Sequence, residues 1–422
     1  MSFELIPEKL VYGGEALGYA QGQTVLVSRA LPGERLEVEP VRTAKGVVHA
    51  RPLRVLEASS ERIIPPCPYF GRCGGCHYQH LEIERQLAWK TDILRETLRR
   101  IGKITWGQEI TIHRSSPWNY RNQAQLKVSV DESGCAVLGF FEAESHRLVP
   151  IDECMIVSPR LNAVLRQLRQ PEWLNRFRGC REIELLADDR DAQVRITVFG
   201  NFSKQETDEL AAGLLGQVEG ITAAAFVGQQ DQTVYGEAVV TYQVGEFRYQ
   251  ISPGSFFQAS RYLLPEFVSA VTATEPGELA LDLYAGVGLL TLPLARRFEH
   301  VIAVESHPAA SRDLQANAAL HGLDHVRAVG QTAFEFLRRF AQMGPDFVIL
   351  DPPRTGVGKT TLKRLTELRP RCLHYAACHP PTWARDLAYL VGRGYRLERV
   401  EMFDFFPHTY HIECLARLIR QD

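Results

Sequence analysis

The chain of 422 residues lacks any uninterrupted apolar run long enough to cross a bilayer, so no membrane-spanning helix is expected. Its first ten residues, MSFELIPEKL, have neither a basic n-region nor an apolar core, so no secretory signal is expected and the protein is placed in the cytoplasm. It also lacks a charge excess. The formal net charge of −2 excludes global attraction to nucleic acid and leaves only a local patch for such a partner. No internal repeat or low-complexity stretch is present. Cysteine, by contrast, is not scarce: nine in a cytoplasmic chain read as thiols or metal ligands rather than disulfides. The length is too great for one core, so two or three domains are expected, in a monomer.

Residues 1–60 show short alternating runs (Thr24–Val27, Arg35–Val38, Val47–Ala50) punctuated by Gly13-Gly14, Gly18, Gly22, Pro32-Gly33 and Pro40. They predict a five-stranded, nucleic-acid-binding β-barrel, although Lys plus Arg and Asp plus Glu number seven each through residue 60. Residues 61–250 open with three cysteines in a turn-rich segment. A helix is predicted over 81–101, expected to pack on the C-terminal domain, and alternating strands and helices then predict a central α/β domain. Residues 251–422 carry the strongest pattern. Apolar strands Leu279–Leu283, Val301–Val304, Phe347–Leu350 and Cys372–Ala376 alternate with helices, predicting a doubly wound, Rossmann-like parallel sheet, with Leu397–Phe403 and His411–Leu418 completing one edge. The fold class is α/β throughout, with the N-terminal barrel appended.

In the loop from Asp282 to Gly288, glycines 286 and 288 let backbone approach a ligand at a strand's carboxyl end. Thr291 stands where a dinucleotide fingerprint has its third glycine, and Glu305 ends the next strand where a carboxylate can accept ribose hydroxyls. The combination suits S-adenosylmethionine better than a nicotinamide. Asp351, in Asp-Pro-Pro-Arg at 351–354, ends another strand, where the prolines stiffen the backbone and aim the carboxylate at the transferable methyl.

Cys378 ends an apolar strand just before a proline-led helix, where helix N-terminal amides lower a thiol pKa; alone, it would read as a small core hydrophobe. Carbon 5 of uracil is a poor nucleophile until a thiolate adds at carbon 6, after which it can displace a sulfonium methyl. Glu413 is the candidate base for the hydrogen at carbon 5. Arg354 occupies the cysteine position of the cytosine-5 motif, which disfavours cytosine; a nitrogen acceptor remains an alternative. Cys67, Cys73 and Cys76 form a CxxxxxCxxC cluster on a glycine-rich loop, and Cys154 is the best fourth ligand. Zn²⁺ and a [4Fe–4S] cluster both accept four thiolates. Phe256, Phe257 and Gln258 offer an aromatic face and an amide to a flipped base, or else two core phenylalanines; Trp118, Tyr120 and Arg121 offer a second stacking and phosphate set.

In order and over nearly its whole length, the chain resembles the bacterial RNA uracil-5-methyltransferases that carry a TRAM domain and an iron–sulfur cluster. The resemblance rests on Ala30-Leu-Pro-Gly-Glu34, the cysteine quartet, Phe-Phe-Gln at 256–258, Leu-Asp-Leu-Tyr-Ala-Gly-Val-Gly at 281–288, Asp-Pro-Pro-Arg, and Cys-x-Pro-x-Thr-x-Ala-Arg-Asp at 378–386. It implies Cys378 as nucleophile and Glu413 as base, with Gln258, Tyr284, Glu305 and Asp351 around S-adenosylmethionine or the target base. It implies a [4Fe–4S] cluster on Cys67, Cys73, Cys76 and Cys154, and an RNA substrate: ribosomal RNA is favoured because both accessory modules are present, with transfer RNA as the alternative. The chain departs from the family at Ala377-Cys378-His379, where Ser-Cys-Asn or Ser-Cys-Asp is usual, and at Ser260, where Asn is common. The first departure suggests that His379 helps to activate the thiol. It also keeps a rival reading, an RNA-binding or folding factor with little turnover.

Overall fold

Glycine and proline punctuation breaks the first sixty residues into short strands whose alternate side chains (Val25 and Val27, Leu36 and Val38, Val48 and Ala50) turn inward. In the computed structural model, which describes residues 2–131, 134–229, 232–237, 239–340 and 344–421, these strands form one sheet. It has six strands where five were expected. Phe3–Leu5 pairs with Arg35–Ala44 at one edge, and Lys9–Leu10 pairs with Glu15–Ala20 at the other. These edges are two halves of one segment, interrupted at Pro7, which has no N–H to give to a ladder. The sheet therefore curls back on its own first strand.

The middle of the chain forms a seven-stranded sheet that is antiparallel except where Val194–Gly200 meets Ile221–Val227. That parallel pair is joined by the helix Lys204–Gln217, whose start is fixed by a reciprocal Ser203–Glu206 capping box.

The C-terminal sheet has eight strands. Val326–Val329, Phe298–Val304, Gly277–Leu283, Phe347–Leu350 and Cys372–Ala377 run parallel in that spatial order, followed by antiparallel Glu413–Arg420, then Tyr395–Phe403 and Thr111–His113. Strands such as Phe347–Leu350 and Cys372–Ala377 are buried at every position, which is why they read as continuous apolar runs. The order reverses between Gly277–Leu283 and Phe347–Leu350, which opens a crevice at their carboxyl ends. Thr111–His113, far upstream, joins this sheet because His113 stacks on Phe403 (4.0 Å) and bonds Glu401 and Glu266 at 2.6 Å each.

The helix Ile83–Arg100 buries Gln86, Leu87, Lys90, Ile93, Leu94, Thr97 and Leu98, a stripe at three- and four-residue spacing, and packs on the helix Pro380–Val391. Among the described residues no helix is long and apolar enough to cross a membrane.

Candidate active site

The loop after Gly277–Leu283 is held open by carboxylates. Glu305 accepts from the amides of Gly286 (2.9 Å) and His307 (2.6 Å), tying the ends of two neighbouring strands together. Gly286 has φ +55° with open space where a Cβ would stand, whereas a Cβ on Gly288 would lie 2.7 Å from Leu314. One glycine leaves room for a ligand and the other for the packed helix behind it. Tyr284 takes φ +73°, an uncommon conformation for a non-glycine residue, with its amide donating to Val304 at 3.0 Å. Asp282 is fully buried, and Thr291 donates to it at 2.6 Å. The side chain in the third glycine position thus has a task of its own, which sequence spacing did not suggest.

Burial pushes the Asp282 carboxyl up to about 7 despite the Thr291 bond, with Asp351 and Glu305 adding in the same direction. Burial likewise raises Asp351 to about 6 and Glu413 well above the carboxylate range, the Asp351 charge adding to the latter. A cationic ligand such as a sulfonium, brought into this crevice, would favour the ionised forms of Asp282 and Asp351 that burial holds back.

Ala377 pairs with Cys414 across the antiparallel ladder, so Cys378 and Glu413 emerge side by side at the same sheet edge. Glu413 is buried, and its Oε1 has no hydrogen-bond partner among the described residues. Tyr375 and the amide of Val357 both donate to Asp386 at 2.8 Å, which anchors the loop that follows Asp351 to the helix that follows Cys378.

One expectation about the thiol is overturned. Cys378 is raised to about 11: burial dominates, Glu413 and Asp351 add to it, and Arg354 opposes them. The helix N-terminus does not prevail, because partial burial and the neighbouring carboxyl groups both disfavour the thiolate. His379 is not a charged activator either. Its Nδ1 accepts from the amide of Thr382 (3.3 Å), capping the helix Pro380–Val391, and burial, with Arg354 and Arg385, lowers its pKa. It does the capping work that asparagine or aspartate would do at this position.

Cys67, Cys73, Cys76 and Cys154 line one cavity of about 310 Å³, together with Arg121 and His411. Burial raises Cys76 to about 12 and Cys154 to about 11, and the Cys73 and Cys154 charges act on Cys76. Among the described residues no three His, Cys, Asp or Glu converge on the position of a single metal ion.

Among the aromatic candidates, Phe256 is 69% exposed and Gln258 is half-buried, but Phe257 is a core residue packed on Tyr242 at 4.9 Å. Tyr120 is also fully buried, donating to the Pro407 carbonyl at 3.0 Å. Trp118 stacks on His408 (4.1 Å), and Arg121 lies over Phe406 (5.5 Å) and faces the cysteine cavity. Phe257 and Tyr120 are therefore corrected from base-stacking candidates to packing residues. An adjacent pair on an irregular segment sends one side chain inward and one outward, and no periodicity tells which.

Residues 82–421 match the family described as tRNA (Uracil-5-)-methyltransferase. A 23S rRNA (uracil(1939)-C(5))-methyltransferase RlmD of Alkalilimnicola ehrlichii is 34% identical, over 99% of this chain and 97% of the relative. An RNA methyltransferase of Aquifex aeolicus is 33% identical over 99% of both chains. The crystal structure of the Pyrococcus abyssi tRNA (uracil-54, C5)-methyltransferase with S-adenosyl-L-homocysteine superposes with TM-score 0.78 at 24% identity, over 99% of this chain and all of that one, and so shares the fold.

Proposed function

The chain belongs to the tRNA (Uracil-5-)-methyltransferase family and is an S-adenosylmethionine-dependent RNA uracil-5 methyltransferase; we propose that it acts on one uridine of 23S ribosomal RNA through a covalent Cys378 adduct. The observation that carries the mechanism is the meeting of Cys378, Glu413 and Asp351 at the carboxyl edge of the sheet, beside the crevice at its switch point. The Cys378 sulfur bonds carbon 6 of uracil, and its proton leaves to solvent. Carbon 5 then bonds the methyl carbon as the sulfonium C–S bond breaks. Glu413, whose raised pKa means it must first release its own proton to solvent, then takes the hydrogen at carbon 5 as a proton, the sulfur–carbon 6 bond breaks, and that proton can return to the departing thiolate. Asp351 and Asp282 would gain negative charge as the cationic donor binds, Glu305 would accept the donor's ribose hydroxyls, and exposed Phe256 would offer a face to the extruded base with Gln258 beside it.

Mapping 5-methyluridine in RNA from cells with and without the gene tests the substrate. One 23S site should disappear. Loss from transfer RNA alone would reassign the substrate, and loss of a methylcytosine would reassign the acceptor.

The N-terminal sheet is read as a TRAM module and the four-cysteine cavity as a [4Fe–4S] site. The four cysteines line one cavity, a donor set that both a [4Fe–4S] cluster and zinc would take, and the family resemblance is what favours the cluster. Cys67, Cys73, Cys76 and Cys154 would hold such a cluster as thiolates, and it would supply a cross-link between the 67–76 loop and Cys154. Cys154→Ser protein purified without oxygen should be colourless and free of iron beside a brown parent. A parent with stoichiometric zinc and no iron would end this assignment.

A further inference from the structure

The turn Val11-Tyr12-Gly13-Gly14 carries the N-terminal sheet into the wall of the active site. Tyr12 stands edge-on to the His379 ring (centroids 5.3 Å, 85°) and edge-on to Tyr410 (5.4 Å, 85°). Its hydroxyl donates to the carbonyl of Cys378 at 3.5 Å, the outer limit of a hydrogen bond. Tyr410 in turn packs on His77 (4.6 Å) and His411 (4.3 Å). One ring therefore touches the residue after the nucleophile and the residue three before the base. The turn is shaped for this contact: Gly13 and Gly14 take φ +116° and +87°, and a Cβ on Gly14 would lie 3.1 Å from the His77 ring.

The outer face of the same sheet carries several of its arginines in exposed ion pairs. Arg35 pairs with Glu57 and Glu4, Arg51 with Glu39, Arg54 with Glu37, and Arg42 with Glu144. Exposed pairs of this kind are weak and leave the arginines open to exchange with phosphate, so the case for a part in the reaction rests on the ring contacts of Tyr12.

We propose that Tyr12 is a positioning residue for methyl transfer: its ring holds the Cys378–His379 loop and the Tyr410 segment at the separation that nucleophile and base require, so the N-terminal sheet acts in the chemical step. The inference rests on the reading of Cys378 as the nucleophile. Edge-to-face aromatic contacts orient as well as bury, and two of them at right angles leave the ring little freedom to slide. Burial, with the nearby Tyr410, also raises the Tyr12 hydroxyl, so the ring works as a neutral spacer.

The test compares full-length Tyr12→Ala, Tyr12→Phe and Cys378→Ala proteins. The readouts are kcat, KM for RNA, and the rate of Cys378 alkylation by iodoacetamide against pH. In the parent, alkylation should still be climbing above pH 9, because the thiol is held near 11. Tyr12→Ala should lower kcat on the order of 10²-fold, the usual result of misplacing reacting groups by about an ångström, with KM for RNA little changed. It should also speed alkylation by opening the wall. Tyr12→Phe should stay near the parent, since the bond it loses is long. A raised KM with intact kcat would make Tyr12 an RNA contact and overturn the proposal. Unchanged kcat and alkylation in Tyr12→Ala would overturn it too, as would Tyr12→Phe failing as badly as Tyr12→Ala. Activity surviving in Cys378→Ala would instead sink the nucleophile reading on which it rests.

Discussion

Cys378→Ala protein is expected to bind S-adenosylmethionine like the parent while methyl transfer falls on the order of 10⁶-fold, the scale on which loss of a covalent nucleophile is felt. The bonds that shape the loop after Gly277–Leu283 run among Asp282, Thr291, Glu305, Gly286 and His307 and do not pass through the thiol, so donor binding should survive. Without sulfur at carbon 6, carbon 5 has no enolate-like electron density to attack the methyl. Glu413→Gln separates the later step. It should slow turnover by about 10²–10⁴-fold, the usual contribution of a general base, and leave a methylated protein–RNA adduct that survives a denaturing gel. Full activity in either variant, or no trapped band with the glutamine, would remove that residue from the mechanism.

Lys90→Met is expected to destabilise the protein by about 3–5 kcal/mol, the cost of leaving one member of a buried ion pair alone. Lys90 donates to Asp404 at 2.6 Å and to the Phe406 carbonyl at 3.1 Å, with only 1% and 2% of the two side chains exposed. This pair anchors the segment that leads to Glu413. Around it, the His408 amide donates to Gln86 (2.9 Å), the Gln86 amide group donates to the carbonyls of Tyr78 (3.0 Å) and Leu81 (2.7 Å), and the amides of His77 and Tyr78 donate to the His408 carbonyl. The helix Ile83–Arg100 is thus a clamp on the approach to the base. Combining Lys90→Met with Asp404→Leu should recover most of the stability in a urea titration, because a buried pair replaced by apolar groups is nearly neutral. A double variant as unstable as the single one would show that the cost lies in the shape of the cavity and not in the stranded charge.

Much of the architecture was legible because its signals are local. Phe347–Leu350 and Cys372–Ala377 announce themselves as buried parallel strands by composition, and the helix predicted over 81–101 is observed at Ile83–Arg100. The sixth N-terminal strand was missed because Pro7 splits a segment too short to show periodicity. Thr111–His113 was not recognised as a strand of the C-terminal sheet, since three residues carry no pattern and their partners lie nearly 300 positions away.

The sequence by itself determined the kinds of groups that could react and their order along the chain: a thiol before a proline-led helix, carboxylates ending apolar strands, and four cysteines with three on one loop. Identity and spacing are properties of the covalent chain. Only the tertiary structure decided what each group is in its setting. It raised the Cys378 thiol instead of lowering it, made His379 a helix cap, buried Phe257 and Tyr120, and brought Tyr12 across 366 positions to the Cys378 carbonyl. The reason is physical: a pKa and an exposed face depend on how much water and charge surround a group, and those surroundings are assembled by segments distant in sequence.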